Sequence, residues 1–98
     1  MPNDTRTPEA ASQPSMSRVL LLNDDVTPME FVVYLLESVF DKDREAATQL
    51  MLHVHHQGKG ECGIYPAAVA YARAKLVQDL AREHQHPLSC VVEPAPSS

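Results

Sequence analysis

The sequence predicts an α+β fold: a three-stranded antiparallel sheet with three helices packed on it, in the order β-α-α-β-α-β. Three observations carry this. Strand-like runs occur at Val19–Leu22, at Glu61–Tyr65 and in the alternation from Leu88 to Glu93. Stretches with helical apolar spacing separate them. The chain has 98 residues, enough for one domain with one modest core. With only three strands, an antiparallel sheet covered on one face by helices is the simplest solution.

Residues 1–17 are rich in Pro, Ser, Thr, Asn and Ala and lack apolar periodicity, so they read as a disordered N-terminal arm. The core domain is expected over 18–94 and a flexible tail over 95–98. Val19-Leu20-Leu21-Leu22 suits a central strand buried on both faces. Thr27 and Glu30 form a capping-box pattern, and Pro28 fits the first helical position. A helix follows from Pro28 to Phe40, with Met29, Val32, Val33, Leu36 and Phe40 at helical spacing. Asp41 is the expected cap of a second helix from about Lys42 to Gln57. Its apolar side is Ala47, Leu50, Met51 and Val54, and Gly58 stops it.

The second strand, Glu61 to Tyr65, is expected to put Cys62 and Ile64 on one face. Pro66 opens a third helix running to about His84, striped by Val69, Arg73, Leu76, Val77, Leu80 and His84. Small Ala67, Ala68, Ala70, Ala72 and Ala74 would let it lie close to the sheet. Pro87 ends it, and Leu88, Cys90 and Val92 form one face of the last strand.

The net charge of -5 argues against nucleic acid as a partner, because phosphate binding relies on clustered Lys and Arg. No apolar run is long enough to span a bilayer, and no basic-then-apolar leader opens the chain, so a cytoplasmic protein is expected. Cys62 and Cys90 fit as reduced, strand-borne hydrophobes.

The segment Leu22-Asn23-Asp24-Asp25-Val26-Thr27-Pro28-Met29 carries the clearest chemical signal. Helix starts attract anions. Here an amide and two carboxylates precede the start, an arrangement suited to a cationic or donor-rich ligand. Met29 and Val32 share the adjacent apolar side. A cation-binding rim beside an apolar hole is what a hydrophobic amino acid with a free α-ammonium needs. On composition alone, a solvated turn is the favoured reading of Asp24 and Asp25, and on spacing alone Met51 and Val54 read as core. His55 lies at the polar edge of their stripe, where a neutral ring nitrogen can accept a proton.

Other patterns are weaker. His53 and His55 are about 200° apart on a helix and cannot meet at one ion; His53 and His56 share a side but need further ligands. Gln57-Gly58-Lys59-Gly60 lacks the context of a phosphate loop. No nucleophile–base arrangement is visible.

Three strings together resemble the bacterial Clp protease adaptor family, ClpS. They are Leu22 through Val32, Ala47 through Gly58, and His86-Pro87-Leu88-Ser89-Cys90, and the likeness spans roughly Ser17 to Glu93. The resemblance implies a non-enzymatic, cofactor-free and metal-free adaptor of the N-end rule pathway, expected to be a monomer. Such adaptors grip proteins whose first residue is Leu, Phe, Tyr or Trp. They pass them to the AAA+ unfoldase ClpA, which feeds the peptidase ClpP. By this resemblance Asn23, Asp24 and His55 hold the α-ammonium. Asp25 and Thr27 shape the entrance and contact the substrate backbone. Met29, Val32, Met51, Val54 and Leu88 line the side-chain pocket. The family's unfoldase-docking basic residue is kept in kind as Arg73, but its helix cap and first-turn Glu are replaced here by Pro66 and Ala68. Two alternatives stand beside it: a peptide-docking module without N-terminal recognition, and a histidine-based metal-binding domain.

Overall fold

The computed structural model describes residues 16–96. The order is β1 (Met16–Leu22), α1 (Met29–Phe40), α2 (Arg44–Gln57), β2 (Lys59–Pro66), α3 (Ala67–Glu83) and β3 (Ser89–Pro94). β1 is the central strand, antiparallel to both neighbours, in the order β2-β1-β3. This is the α+β architecture expected.

β1 begins at Met16, two residues inside the segment assigned to the arm. Met16 and Ser17 pair with Pro66 and Tyr65, and Ala95 N–H donates to Met16 C=O at 2.9 Å. Their backbone pairing holds them, and the residue that is buried, Ser17, is polar, so apolar patterning gives no sign of it. Otherwise the arm, residues 1–15, lies outside the described residues, as do tail residues 97 and 98. Val19 and Leu21 join the core beneath the helices, while Leu20 is buried on the other face, paired across to Glu61 and Val91. On that open face Arg18 reaches Glu93 at 3.0 Å and Glu61 at 3.6 Å.

The capping box at α1 does not form. Pro28 occupies the cap position with extended backbone, and no side chain caps the helix. Phe31 and Val32 N–H donate to Pro28 C=O instead. A side-chain cap is worth ~1 kcal/mol. Seven apolar side chains of α1 are buried, each contributing ~1.5–3 kcal/mol, so packing fixes this helix. Asp41 does not cap α2; it ends α1 in the left-handed region (φ 57°). Asp43 caps α2, accepting from Ala46 N–H at 2.8 Å. Gly58 ends α2 as expected, with φ 91°, a conformation that favours glycine.

β2 contains a bulge: Val19 pairs with Gly63 and Leu20 with Glu61, leaving Cys62 extra. The bulge breaks the two-residue alternation, so Cys62 is buried while Ile64 is exposed, contrary to the expected shared face. In α3 the buried residues are Ala70, Ala74, Val77 and Ala81, and the expected stripe members Val69, Leu76 and His84 are exposed. Of the alanines expected against the sheet, Ala70 and Ala74 are buried, while Ala68 and Ala72 lie on the opposite, exposed side of the helix. Both cysteines are free and buried, and burial pushes the Cys62 thiol up to about 12, so it is inert.

Candidate functional site

The chain leaves β1 at Leu22 and crosses to α1 through residues 23–28. One backbone bond sets where this loop lies: Asn23 N–H donates to Gly58 C=O at 2.9 Å. It ties the loop to the end of α2, the turn that carries His55. Asp24 then folds the loop on itself. Its carboxylate accepts from Val26 N–H at 3.3 Å, from Thr27 N–H at 2.9 Å and from the Thr27 hydroxyl. Thr27 is buried and serves Asp24 rather than the helix. These bonds, the Thr27 hydroxyl first, hold the Asp24 carboxyl below the usual carboxylate range against the opposing effect of burial; the charge of His86 adds to them. Asp24 is thus a fixed anion. Asn23 gives its Nδ2 to Asp25 Oδ1 at 3.2 Å and so presents its carbonyl as an acceptor.

Beside this loop a recess opens between β1, α1, α2 and the segment before β3. Its walls include Asn23, Asp24, Thr27 and His55 on the polar side. Met29, Val32, Met51, Val54 and Leu88 line the apolar side. The residues expected to hold the substrate are therefore gathered around one hole, except Asp25. Asp25 is exposed, outside the wall, and touches the site through Asn23. Leu21 and Leu22 also line the recess. Sequence reasoning missed them because an apolar strand end reads as core; their position directly before Asn23 was the available signal.

The recess is narrow, with about 20 Å³ of free volume. That is room for about one water. Met51, Val54 and Leu88 are buried, whereas Met29 is 47% exposed and stands at the mouth. The Leu88 segment is held by aromatic contacts: His86 and His84 lie 4.5 Å and 5.2 Å from the Phe31 ring. His55 is exposed one turn beyond Met51, its ring edge-on to His56 at 5.3 Å.

Arg73 and Ala68 lie apart from the recess, on α3. The Arg73 guanidinium donates to Val39 C=O, lies 3.6 Å from the Asp41 carboxylate and sits 5.3 Å over the Tyr65 ring. It staples the end of α1 to α3 and β2. Ala68 is exposed and offers no polar group. Among the described residues, no group of three or more His, Cys, Asp and Glu side chains is placed to hold a metal ion.

Known proteins bear on this geometry. The family model for the ATP-dependent Clp protease adaptor protein ClpS matches residues 12–91. The ATP-dependent Clp protease adapter protein ClpS 1 of Agrobacterium fabrum is 57% identical over 89 residues, 91% of this chain and 76% of that protein. ClpS 2 of Bradyrhizobium diazoefficiens is 55% identical over the same share of this chain and 81% of its own length. Among solved structures, Agrobacterium tumefaciens ClpS2 bound to L-phenylalaninamide superposes with a TM-score of 0.82 at 34% identity, covering 85% of this chain and 100% of that one. The fold agrees with these likenesses, and this chain belongs to the ClpS family of Clp protease adaptors.

Proposed function

We propose that this adaptor reads the first residue of its substrates: a free α-ammonium together with a bulky hydrophobic side chain, Leu, Phe, Tyr or Trp. The observation that carries the reading is the single recess in which Asn23, Asp24 and His55 edge a wall of Met29, Val32, Met51, Val54 and Leu88. An ammonium has three donors. The Asn23 carbonyl, the Asp24 carboxylate and a neutral His55 nitrogen supply one acceptor each. Burying a Leu or Phe side chain adds ~1.5–3 kcal/mol. The ligand of the related Agrobacterium structure, L-phenylalaninamide, has the same two features, a free amine and an aromatic side chain. Thr27 and Asp25 shape the entrance. The adaptor acts without catalysis and hands its cargo to the unfoldase ClpA for degradation by ClpP in the cytoplasm. Arg73 and the Ala68 surface are the docking region that family likeness favours.

Fluorescence anisotropy with paired peptides tests the reading. A peptide beginning with Phe or Leu binds, and its N-acetylated twin binds ~10²-fold or more weakly, because acetylation removes the charge and two of the three donors and leaves acceptors that the bound substrate covers without partners. Equal binding of the twins would refute the ammonium assignment. Equal binding of internal hydrophobic segments would support the plain docking module instead.

A further inference from the structure

We propose that the groove between α1 and α2 seats the side chain of the substrate's third residue and favours arginine or lysine there. This rests on the recess being the seat of the first residue. The groove continues from that recess, because Met29 and Met51 line both. It has a volume of about 420 Å³, is open on one side, and ends at the Glu37–Arg44 pair, 2.9 Å apart.

Direction follows from the shared wall. With the ammonium at Asn23, Asp24 and His55 and the side chain in the recess, the rest of the substrate chain leaves by the mouth, where the exposed Met29 stands and the groove begins. His55, Met51, Thr48 and Arg44 follow one another back along α2, and Met51, Thr48 and Arg44 border the groove. The substrate chain is thereby aimed into it. Side chains of an extended chain alternate, so the second residue points outward and the third returns about 6.6 Å further on. Thr48 and Arg44 lie ~4.5 Å and ~10.5 Å beyond Met51 along the helix axis, which brackets that position.

The lining selects the side chain. Val33 and Met51 make an apolar floor, and the half-exposed Tyr34 ring stands at the rim. Glu30 and Glu37 outnumber Arg44 among the groove's charges, and both Glu37 oxygens already accept from Arg44. A long aliphatic stem with a cationic tip fits this: the stem on Val33 and Met51, the tip near Tyr34 and Glu30. A carboxylate there meets Glu30 with like charge.

The test uses free-amine peptides that begin Phe-Ala and differ at the third position (Arg, Ala or Glu), plus one carrying Arg at the second, each measured on the wild type and on Glu30→Gln. The expected order is Arg, then Ala, then Glu, with about fivefold between the extremes, an effect the size of one rim charge and one cation–π contact. On Glu30→Gln the spread falls below about twofold. Equal affinities across the series overturn the proposal and leave the groove to a protein partner, while the first-residue reading stands. A preference at the second position but not the third also overturns it. Failure of every Phe-first peptide to bind overturns both readings together.

Discussion

Asp24→Asn is the most direct probe of the rim. A carboxylate offers about four lone-pair sites, and three are taken by the Val26 amide and by the Thr27 amide and hydroxyl. One remains for the incoming ammonium. Losing that charge-assisted hydrogen bond costs ~1.5–3 kcal/mol, a roughly 10- to 150-fold loss of affinity. Asn23 and His55 still accept, so binding weakens without vanishing. The decisive version is a cycle with N-acetylation, read by anisotropy on one Phe-first peptide. If Asp24 grips the ammonium, acetylation costs Asp24→Asn at least about tenfold less than it costs the wild type, because the partner is already gone. Each protein is compared with itself, so a loss of folded material cancels. Equal costs of acetylation in both proteins would refute the contact.

Other consequences are measurable in the isolated protein. The Asp24 carboxyl lies below its usual range, so its bonds stabilise the fold above about pH 3.9 and that contribution fades as pH falls through the lower folded value. Urea midpoints of wild type and Asp24→Asn should therefore differ at pH 7 and converge in acid; a gap unchanged at pH 2.5 would contradict the turn's role. A Cβ on Gly60 would stand 2.7 Å from Val54 Cγ2 and 3.1 Å from Leu50 Cδ1. Gly60→Ala should cost ~1–3 kcal/mol in urea unfolding and weaken Phe-first binding by displacing a recess wall. Arg73→Ala leaves the Val39 carbonyl without its side-chain donor, and a loss of ~1–3 kcal/mol is expected by the same assay. No loss would mean the guanidinium is free for a partner.

The strand and helix order was legible because apolar period and turn residues agree along most of the chain. The failures have local causes. Thr27 and Glu30 satisfy a capping pattern, but Asp24 competes for the Thr27 hydroxyl and wins it. Asp41 and Asp43 are both plausible caps; the first is spent on the left-handed turn that ends α1, which leaves the second to start α2. On α3 the expected stripe keeps only Val77 among the buried residues, because Ala70, Ala74 and Ala81 take the rest of that face; the alanine contact was legible, but hydropathy weights large side chains and drew Val69 and Leu76 into the stripe. The rim itself could not be read from composition, since Asn-Asp-Asp before a helix is also what a solvated turn looks like. Only resemblance separated the two, and the bond from Asn23 to Gly58 that brings the loop to His55 has no sequence signature at all.

The narrowness of the recess then bears on how one site meets side chains of different shape. Its polar edge is fixed: Asp24 is bound three times over, and Asn23 is tied through both its backbone and its amide. Its apolar side is a different material. About 20 Å³ of free room is far short of a benzene-sized cavity of ~150 Å³, so an aromatic ring enters only as the wall gives way. Val32, Val54 and Leu88 are buried against the core, and moving them disturbs the sheet and helices behind them. Met29 and Met51 are unbranched, and Met29 is only half covered. Their three rotatable bonds and polarisable sulfur let them reshape the hole around a flat or a branched group at small cost. On the proposed reading, a rigid rim that demands one charge, beside a pliant wall that tolerates several shapes, would give strict selection for a chain's beginning and lenient selection for its side chain.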